Sequence, residues 1–375
     1  MKFQFFPIDI TYKIVDGKPI IYLFGKTTDG KQICVLDDSF TPYFYVIPKQ
    51  GAVIKDRLLS LSGEENQDSY KITKVESDKM KFKEKEIDAL RVYTNIPKAV
   101  PFMKDVIREW DDIESVHEYD ILFTRRYLID KNISPLVLTN VEGEIVPEKL
   151  KVPAIKAKKI EQSSNETIKE PKILAFDIET YGTVGTRIMP EKDPILMIAV
   201  YGDNFKRILT WKKFKTDEKN MEILPSEADI IQRFQELIDE YQPDIIAGYF
   251  SDGFDFPYLK TRAKKYKLNL ELGLDYSEIN IGRGASKSAQ IHGIFHFDVF
   301  KFVKRAVRKT LKTDVFTLDA VSEEVLGEKK IKVDLSKLSE AWDSNSDELD
   351  VYAKYNLHDA RLAYKLCENL LPNLF

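Results

Sequence analysis

The sequence predicts an α/β fold over residues 173–375, a mixed sheet flanked by helices, joined to an α+β domain over residues 1–148. Three observations carry that reading. Beyond Ile173, short apolar runs (Ile173–Phe176, Asp244–Tyr249, Phe295–Val299) alternate with helical patterns, the layout of buried strands between helices. Before residue 148, strand-like runs rich in aromatic and β-branched residues are separated by turn signals. Between Lys149 and Lys172 the chain turns polar and basic without periodicity, which predicts a linker over 149–172.

In the first domain, Pro19–Phe24 and Gln32–Leu36 read as strands around a turn at Thr28-Asp29-Gly30-Lys31. Thr41–Pro48 reads as a further aromatic strand. Val100–Trp110 reads as a helix, with Pro101 near its start, where a missing N–H costs nothing. In the second domain, Ile195–Val200 and Ile208–Trp211 form a predicted hairpin. Ser226 caps a helix running to Tyr241, with Asp229 three residues on as its capping partner. A Lys-rich helix spans Asp255–Tyr266, a second basic helix follows Asp298, and helices cover Thr317–Leu326, Leu335–Trp342 and Asp347–Leu371.

Composition bounds the function. With 43% hydrophobic and 31% charged residues the chain can build packed cores, which excludes wholesale disorder. No apolar run approaches the ~18 residues of a membrane helix, and the first residues lack a signal-peptide core. No membrane partner and a cytoplasmic location are expected. Cys34 and Cys367 are too few for a disulfide framework and read as two inert thiols. The net charge of -4, from 57 basic and 61 acidic residues, argues at first against a nucleic-acid partner. Local counts reverse this: Phe256–Leu270 carries five basic residues and no acid, among them Lys260, Arg262 and Lys264. Asp298–Thr313 carries six against one acid, among them Lys301, Lys304 and Arg305. Both runs suit a phosphate backbone.

The chemistry sits in carboxylates. Asp177 and Glu179 end a buried strand two residues apart, so both project from one face of the sheet. Two adjacent acids repel unless a cation lies between them. Asp255 stands where strand gives way to helix, and on position alone it is also an N-cap aspartate. Tyr355 and Asp359, at i and i+4, share one face of the last helix.

Together these elements resemble a known set. Asp177-Ile178-Glu179-Thr180, then Tyr249 through Phe254-Asp255-Phe256-Pro257-Tyr258-Leu259, then Tyr355-Asn356-Leu357-His358-Asp359 are similar to the three motifs of the proofreading 3′→5′ exonuclease of family B DNA polymerases. Glu118–Asp130, Ile291–Phe300 and Thr317–Gly327 extend the likeness, which is to the archaeal enzymes and covers essentially the whole chain. The resemblance implies a ribonuclease H-like exonuclease domain. It implies Asp177, Glu179, Asp255 and Asp359 as ligands of two divalent cations, Mg²⁺ or Mn²⁺, with Tyr355 orienting the attacking water. The substrate implied is single-stranded or primer-template DNA, contacted by Phe254 and the basic residues named above, with release of nucleoside 5′-monophosphates. The first domain resembles that of the archaeal family B enzymes, and the resemblance implies a pocket for uracil in a template strand, formed by Tyr12, Pro42, Tyr43, Pro97, Val100, Phe123 and Arg126.

One residue departs from the pattern. The family usually carries Asn directly after the first Tyr of its second motif, where it helps hold the substrate strand, and here Phe250 stands there. The catalytic segments of the polymerase domain do not occur in these residues, which is expected of an excised fragment, of a split polymerase whose polymerase domain is a separate polypeptide partner, or of a free-standing protein. The alternative reading is a non-catalytic DNA-binding or polymerase-assembly subunit with a vestigial site.

Overall fold

The computed structural model describes residues 1–65, 68–82, 84–182, 188–282, 288–329 and 331–374. They form two compact units: Met1–Glu148 with Pro153–Glu166, and Lys149–Val152 with Thr167–Phe375.

The first unit contains a closed barrel and a five-stranded sheet. In the barrel, β1 (Lys2–Val15) pairs with β2 (Lys18–Thr27), which pairs with β3 (Gln32–Asp37). Inward residues Phe5, Ile21, Leu23 and Val35 pack together, as alternation in a barrel requires. The five-stranded sheet contains β4 (Tyr43–Pro48), β5 (Ser62–Glu65), β6 (Asp68–Phe82), β7 (Lys85–Thr94) and β8 (Ile113–His117). Helices α1 (Lys55–Leu59) and α2 (Ala99–Ile107) cover one face, over Phe44, Val46 and Val92. The opposite face carries Tyr43, Tyr45, Ile47 and Ala89. Strand β4 is therefore buried on both sides, which is why it reads as a continuous apolar run rather than an alternating one. Helix α3 (Phe123–Asp130) then plugs the barrel with Phe123 and Tyr127. The chain returns to the barrel in β9 (Val137–Val146) and β10 (Ala154–Thr167), and β10 closes it parallel to β3.

This corrects the linker expected over 149–172, most of which is strand β10. Ala154, Ile155 and Ile160 are buried while most of its other positions face outward, so a half-exposed strand has the composition of a tether. Lys149–Val152 belong to the second unit, where the Lys151 amide donates to Leu274 O at 2.8 Å and its ammonium to Asp239 at 2.8 Å.

The second unit is built on a six-stranded mixed sheet. Its members are β11 (Ile173–Thr180), β12 (Ile195–Gly202), β13 (Phe205–Thr210), β14 (Met221–Ile223), β15 (Ile245–Gly248) and, after a short ladder of β16 (Asn280–Ile281) and β17 (Ala289–Gln290), β18 (Phe295–Asp298). The central strand β11 runs antiparallel to β12 and parallel to β15. Helix α4 (Glu227–Tyr241) starts at Ser226, whose hydroxyl accepts from the Asp229 amide and donates to its carboxylate at 2.6 Å. Helix α5 (Asp255–Lys265) follows β15. Phe176 of β11 meets Phe234 of α4 and Phe256 of α5, with ring centroids 5.2 and 4.7 Å away.

After β18 come α6 (Val299–Phe302), a π-helical turn at Val303–Val307, α7 (Leu318–Leu326), α8 (Leu338–Ser344) and the long α9 (Leu349–Leu370). Helix α9 covers the face of the sheet opposite Phe176: Ile173 and Ala175 pack with Leu362, Ala363 and Leu366. Among the described residues no helix is long and apolar enough to cross a membrane.

Candidate active site

The period of a strand brings the acids to α9. Ile173 and Ala175 are buried under that helix, and the next two positions on the same face are Asp177 and Glu179. On α9 itself, Tyr355 and Asp359 lie one turn apart. One oxygen from each of Asp177, Glu179 and Asp359 falls within 4.8 Å of the others. The buried Asn356 donates its Nδ2–H to Asp177 Oδ2 at 2.8 Å and so fixes that carboxylate. Asn356 was not singled out from the sequence. Its signal was weak: a polar residue three positions before Asp359, hence on the same side of the helix.

Asp255 reaches the same place from the other side of β11. It is the first residue of α5, with Phe254 at the N-cap position making no side-chain cap bond, so it is not the N-cap of that helix. With Asp177, Glu179, Tyr355 and Asp359 it lines a cavity of about 450 Å³ that Phe250 and Phe254 also line. Three of the four expected ligands therefore converge closely, and the fourth borders the same space. Burial, with the Asp298 carboxylate nearby, pushes the Asp255 carboxyl up to about 7 against opposing backbone hydrogen bonds. A cation in the cavity would reverse that shift, because it favours the charged form.

The loop that carries Asp255 is pinned by a second polar cluster. Asp252 accepts from the Ala289 amide at 2.6 Å and Lys301 Nζ at 2.7 Å. The Asp252 amide donates to Asp298 Oδ2 at 2.8 Å, and Asp298 also caps α6 by accepting from the Lys301 amide at 2.9 Å. Ser251 Oγ and His296 Nε2 lie 2.8 Å apart. Burial alone would raise Asp252, but hydrogen bonds from His296, Lys301 and Ala289 outweigh it and hold the carboxyl at about 2.

The residues expected to touch nucleic acid divide. Lys264, Lys304 and Arg305 are exposed, and Phe254 is half-buried at the cavity. Lys260 spends its ammonium on Ile279 O at 2.7 Å and Lys301 is held by Asp252. Arg262 is a correction. Its side chain is 1% exposed and forms a two-pronged pair with Glu227, with Nε–Oε1 at 2.7 Å, and a further bond to Pro190 O at 2.9 Å. A guanidinium so enclosed cannot meet a phosphate.

In the first unit, Tyr12 stands edge-on to Phe123 at 5.2 Å, and the Arg126 guanidinium lies 4.9 Å from the Tyr43 ring. Phe40 bridges the two pairs, 5.5 Å from Phe123 and 6.5 Å from Tyr43. Val100 points instead into the core beneath α2, together with Ala99 and Met103. Pro42 directly precedes β4, and Pro97 lies just before α2.

A mixed sheet whose central strand carries two acids on the face covered by α9, with a third acid on that helix and a fourth at the start of α5, has the layout of a ribonuclease H-like domain. The comparisons with known proteins narrow that class. Residues 114–321 match the model of the exonuclease domain of DNA polymerase family B. A DNA polymerase of Pyrococcus glycovorans is 34% identical over 366 residues, 97% of this chain and 42% of that protein. A DNA polymerase of Thermococcus kodakarensis is 32% identical over the same share of this chain and 20% of its own length. The solved structure of the family B DNA polymerase from Pyrobaculum calidifontis superposes with a TM-score of 0.83 at 26% identity, over 99% of this chain and 46% of that one. The chain belongs to the family B DNA polymerases and carries their exonuclease domain. It spans less than half the length of these relatives.

Proposed function

We propose that this chain is a metal-dependent 3′→5′ exonuclease that removes nucleoside 5′-monophosphates from single-stranded DNA ends, the proofreading module of a family B DNA polymerase. The observation that carries the proposal is the convergence of Asp177, Glu179 and Asp359 within 4.8 Å, in a cavity that Asp255 also lines. Like charges gathered this closely fit a hard divalent cation, and an all-carboxylate oxygen set suits Mg²⁺ or Mn²⁺. Asp177, Glu179, Asp255 and Asp359 are the residues that would hold such ions. Bound there, two cations supply Lewis acidity at the attacked phosphorus and at the departing 3′-oxygen.

The remaining work falls to the protein's own groups. Asn356 keeps Asp177 in one orientation through its amide. Tyr355, buried at the wall of the cavity, is the group assigned to orient water by its hydroxyl. Phe254 borders the path of the strand, and Lys264, Lys304 and Arg305 give its phosphates a cationic approach. In the first unit, the Tyr12–Phe123 and Tyr43–Arg126 pairs support a site for a flipped uracil. A separate polymerase-domain polypeptide is the partner this reading implies.

The test is a labelled single-stranded oligonucleotide incubated with Mg²⁺ or Mn²⁺ and then with EDTA. A ladder shortening from the 3′ end and abolished by EDTA is expected. Binding without shortening would favour the non-catalytic subunit instead. Undiminished degradation by Asp177→Ala would sink the assignment of the site.

A further inference from the structure

The residue that departs from the family pattern also has the least ordinary backbone at the site. Phe250 adopts φ +67°, in the left-handed region that asparagine and glycine tolerate and a bulky aromatic rarely enters. Its side chain does not retreat into a core. It is 47% exposed and lines the cavity that holds Asp177, Glu179, Asp255 and Asp359. An apolar ring at a strained position, open to water beside an acidic cavity, is unfavourable on two counts. Such an outlier points to a task for the side chain.

The surroundings make the ring a fixed surface rather than a loose one. Phe300 meets it edge-on, with centroids 5.2 Å apart and planes at 81°. On its other flank it lies over Gly253, where a Cβ would collide with the tip of the ring. The loop beneath is closed by bonds from the Gly253 and Phe254 amides to Phe250 O, at 2.9 and 3.0 Å. Tyr249 anchors it through a 2.7 Å bond to Phe316 O, and Ser251 and Asp252 anchor it to His296 and Asp298. Lys304 Nζ lies 5.6 Å from the Phe300 ring and brings a cation beside the aromatic pair.

We propose that Phe250 is a nucleobase-stacking platform at the rim of the carboxylate cavity, gripping the 3′-terminal segment of a single strand. Every base has a π face, so a ring held this way binds without sequence preference. It would supply by stacking the grip on the strand that the family resemblance assigns to an asparagine at this position. The inference deepens the exonuclease reading and rests on it.

The experiment is equilibrium binding of the chain, in EDTA, to a short 5′-labelled deoxyadenylate strand and to the same strand with abasic 3′-terminal nucleotides. Phe250→Ala and Phe250→Asn are expected to weaken binding of the intact strand roughly 10- to 100-fold, and Phe250→Trp to preserve it. Gly253→Ala, which keeps the phenylalanine but displaces its ring, is expected to weaken binding in the same direction. On the abasic strand the unaltered chain and the Phe250 variants should bind alike. Thermal melting guards against misfolding: Phe250→Asn suits the backbone better and should melt no lower than the unaltered chain.

Equal affinity of Phe250→Ala for the intact strand overturns the proposal, as does an equal loss on the abasic one. No binding by the unaltered chain overturns it too. Shortening of the strand in Mn²⁺ is read separately. A Phe250-dependent grip without shortening would fail the exonuclease reading and leave the stacking platform standing.

Discussion

Asp252 and Asp255 stand three residues apart, both buried, and their carboxyls are driven in opposite directions, to about 2 and to about 7. Asp252 faces a lysine ammonium, a histidine ring and a backbone amide. Asp255 faces a desolvated cavity with Asp298 nearby. The same contrast recurs on a larger scale. Glu227 is enclosed by Arg262 and by the Tyr266 hydroxyl at 2.6 Å, whereas Asp177, Glu179 and Asp359 turn oxygens toward one another. Where the protein meets a buried acid with its own cation, the acid is architecture, and removing one partner leaves a buried charge exposed to no counter-charge. Where acids meet acids, a divalent cation bound among them relieves the repulsion.

The largest effect should come from the converging acids. Asp359→Asn is expected to lower metal-dependent hydrolysis on the order of 10³-fold, as loss of a charge-stabilising group in an active site does. Yet in EDTA it should melt higher than the unaltered chain, because one repelling charge is gone. Added Mn²⁺ should raise the melting temperature of the unaltered chain, since a ligand bound only to the folded state stabilises it, and should do so much less for the variant. Melting curves with and without Mn²⁺ check this. If Asp359→Asn melts markedly lower in EDTA, the converging acids are architectural, like Glu227.

Arg262→Ala probes the opposite kind of acid. It strands Glu227 and is expected to cost about 3–5 kcal/mol of stability, read from urea unfolding. Hydrolysis per folded molecule should stay unchanged, because the guanidinium lies outside the carboxylate cavity. A selective loss of DNA binding with stability intact would return Arg262 to the nucleic-acid surface.

The two kinds of acid also differed in how far the sequence disclosed them. Strand and helix periods placed Asp177 beside Glu179 and Tyr355 beside Asp359, but only the family resemblance joined the two pairs into one site. The role of Arg262 was not legible, since a count of basic residues says nothing about burial and its partner Glu227 is 35 positions away. Asn356 escaped for the same reason, its bond to Asp177 spanning 179 positions. In the first unit, β10 passed for a linker because most of its side chains face solvent. Strand β6 escaped notice because only Tyr70, Ile72 and Met80 of its fifteen residues are buried. Buried strands announce themselves; exposed ones share their composition with loops.

The Asp255 carboxyl supplies a smaller, pH-dependent test. Its folded value of about 7 lies above the usual carboxylate range, so between about pH 4 and about pH 7 the folded chain holds a proton that the unfolded chain releases. Metal-free protein should therefore lose stability as pH rises through that window, about 2–4 kcal/mol in all, and lose no more above it. Asp255→Asn should reduce the slope to the share that the raised Asp298 carboxyl supplies, and saturating Mn²⁺ should remove the share of Asp255. A slope that Asp255→Asn leaves unchanged would assign the proton elsewhere.

Asp252 should show the reverse dependence on a smaller scale. Its carboxyl is held at about 2, below the unfolded value of about 3.9. The stability it contributes is complete above about pH 4 and disappears as pH falls toward about 2, roughly 2 kcal/mol in all. The summed contribution of these two carboxyls is greatest near about pH 4, where the gain from Asp252 is nearly complete and the loss from Asp255 is only beginning, and the Asp298 carboxyl, which burial also pushes up, adds to the loss above it. The two limbs can be separated by substitution. Asp255→Asn should keep the acid limb and shrink the neutral one to what the raised Asp298 carboxyl supplies. Lys301→Met, which removes the 2.7 Å ammonium partner of Asp252, should shrink the acid limb and lower stability at neutral pH, leaving the loss between about pH 4 and about pH 7 in place. Urea midpoints across this range read both limbs. If Lys301→Met altered the neutral limb instead, the two aspartates would titrate as one cluster and the division between architecture and site would fall.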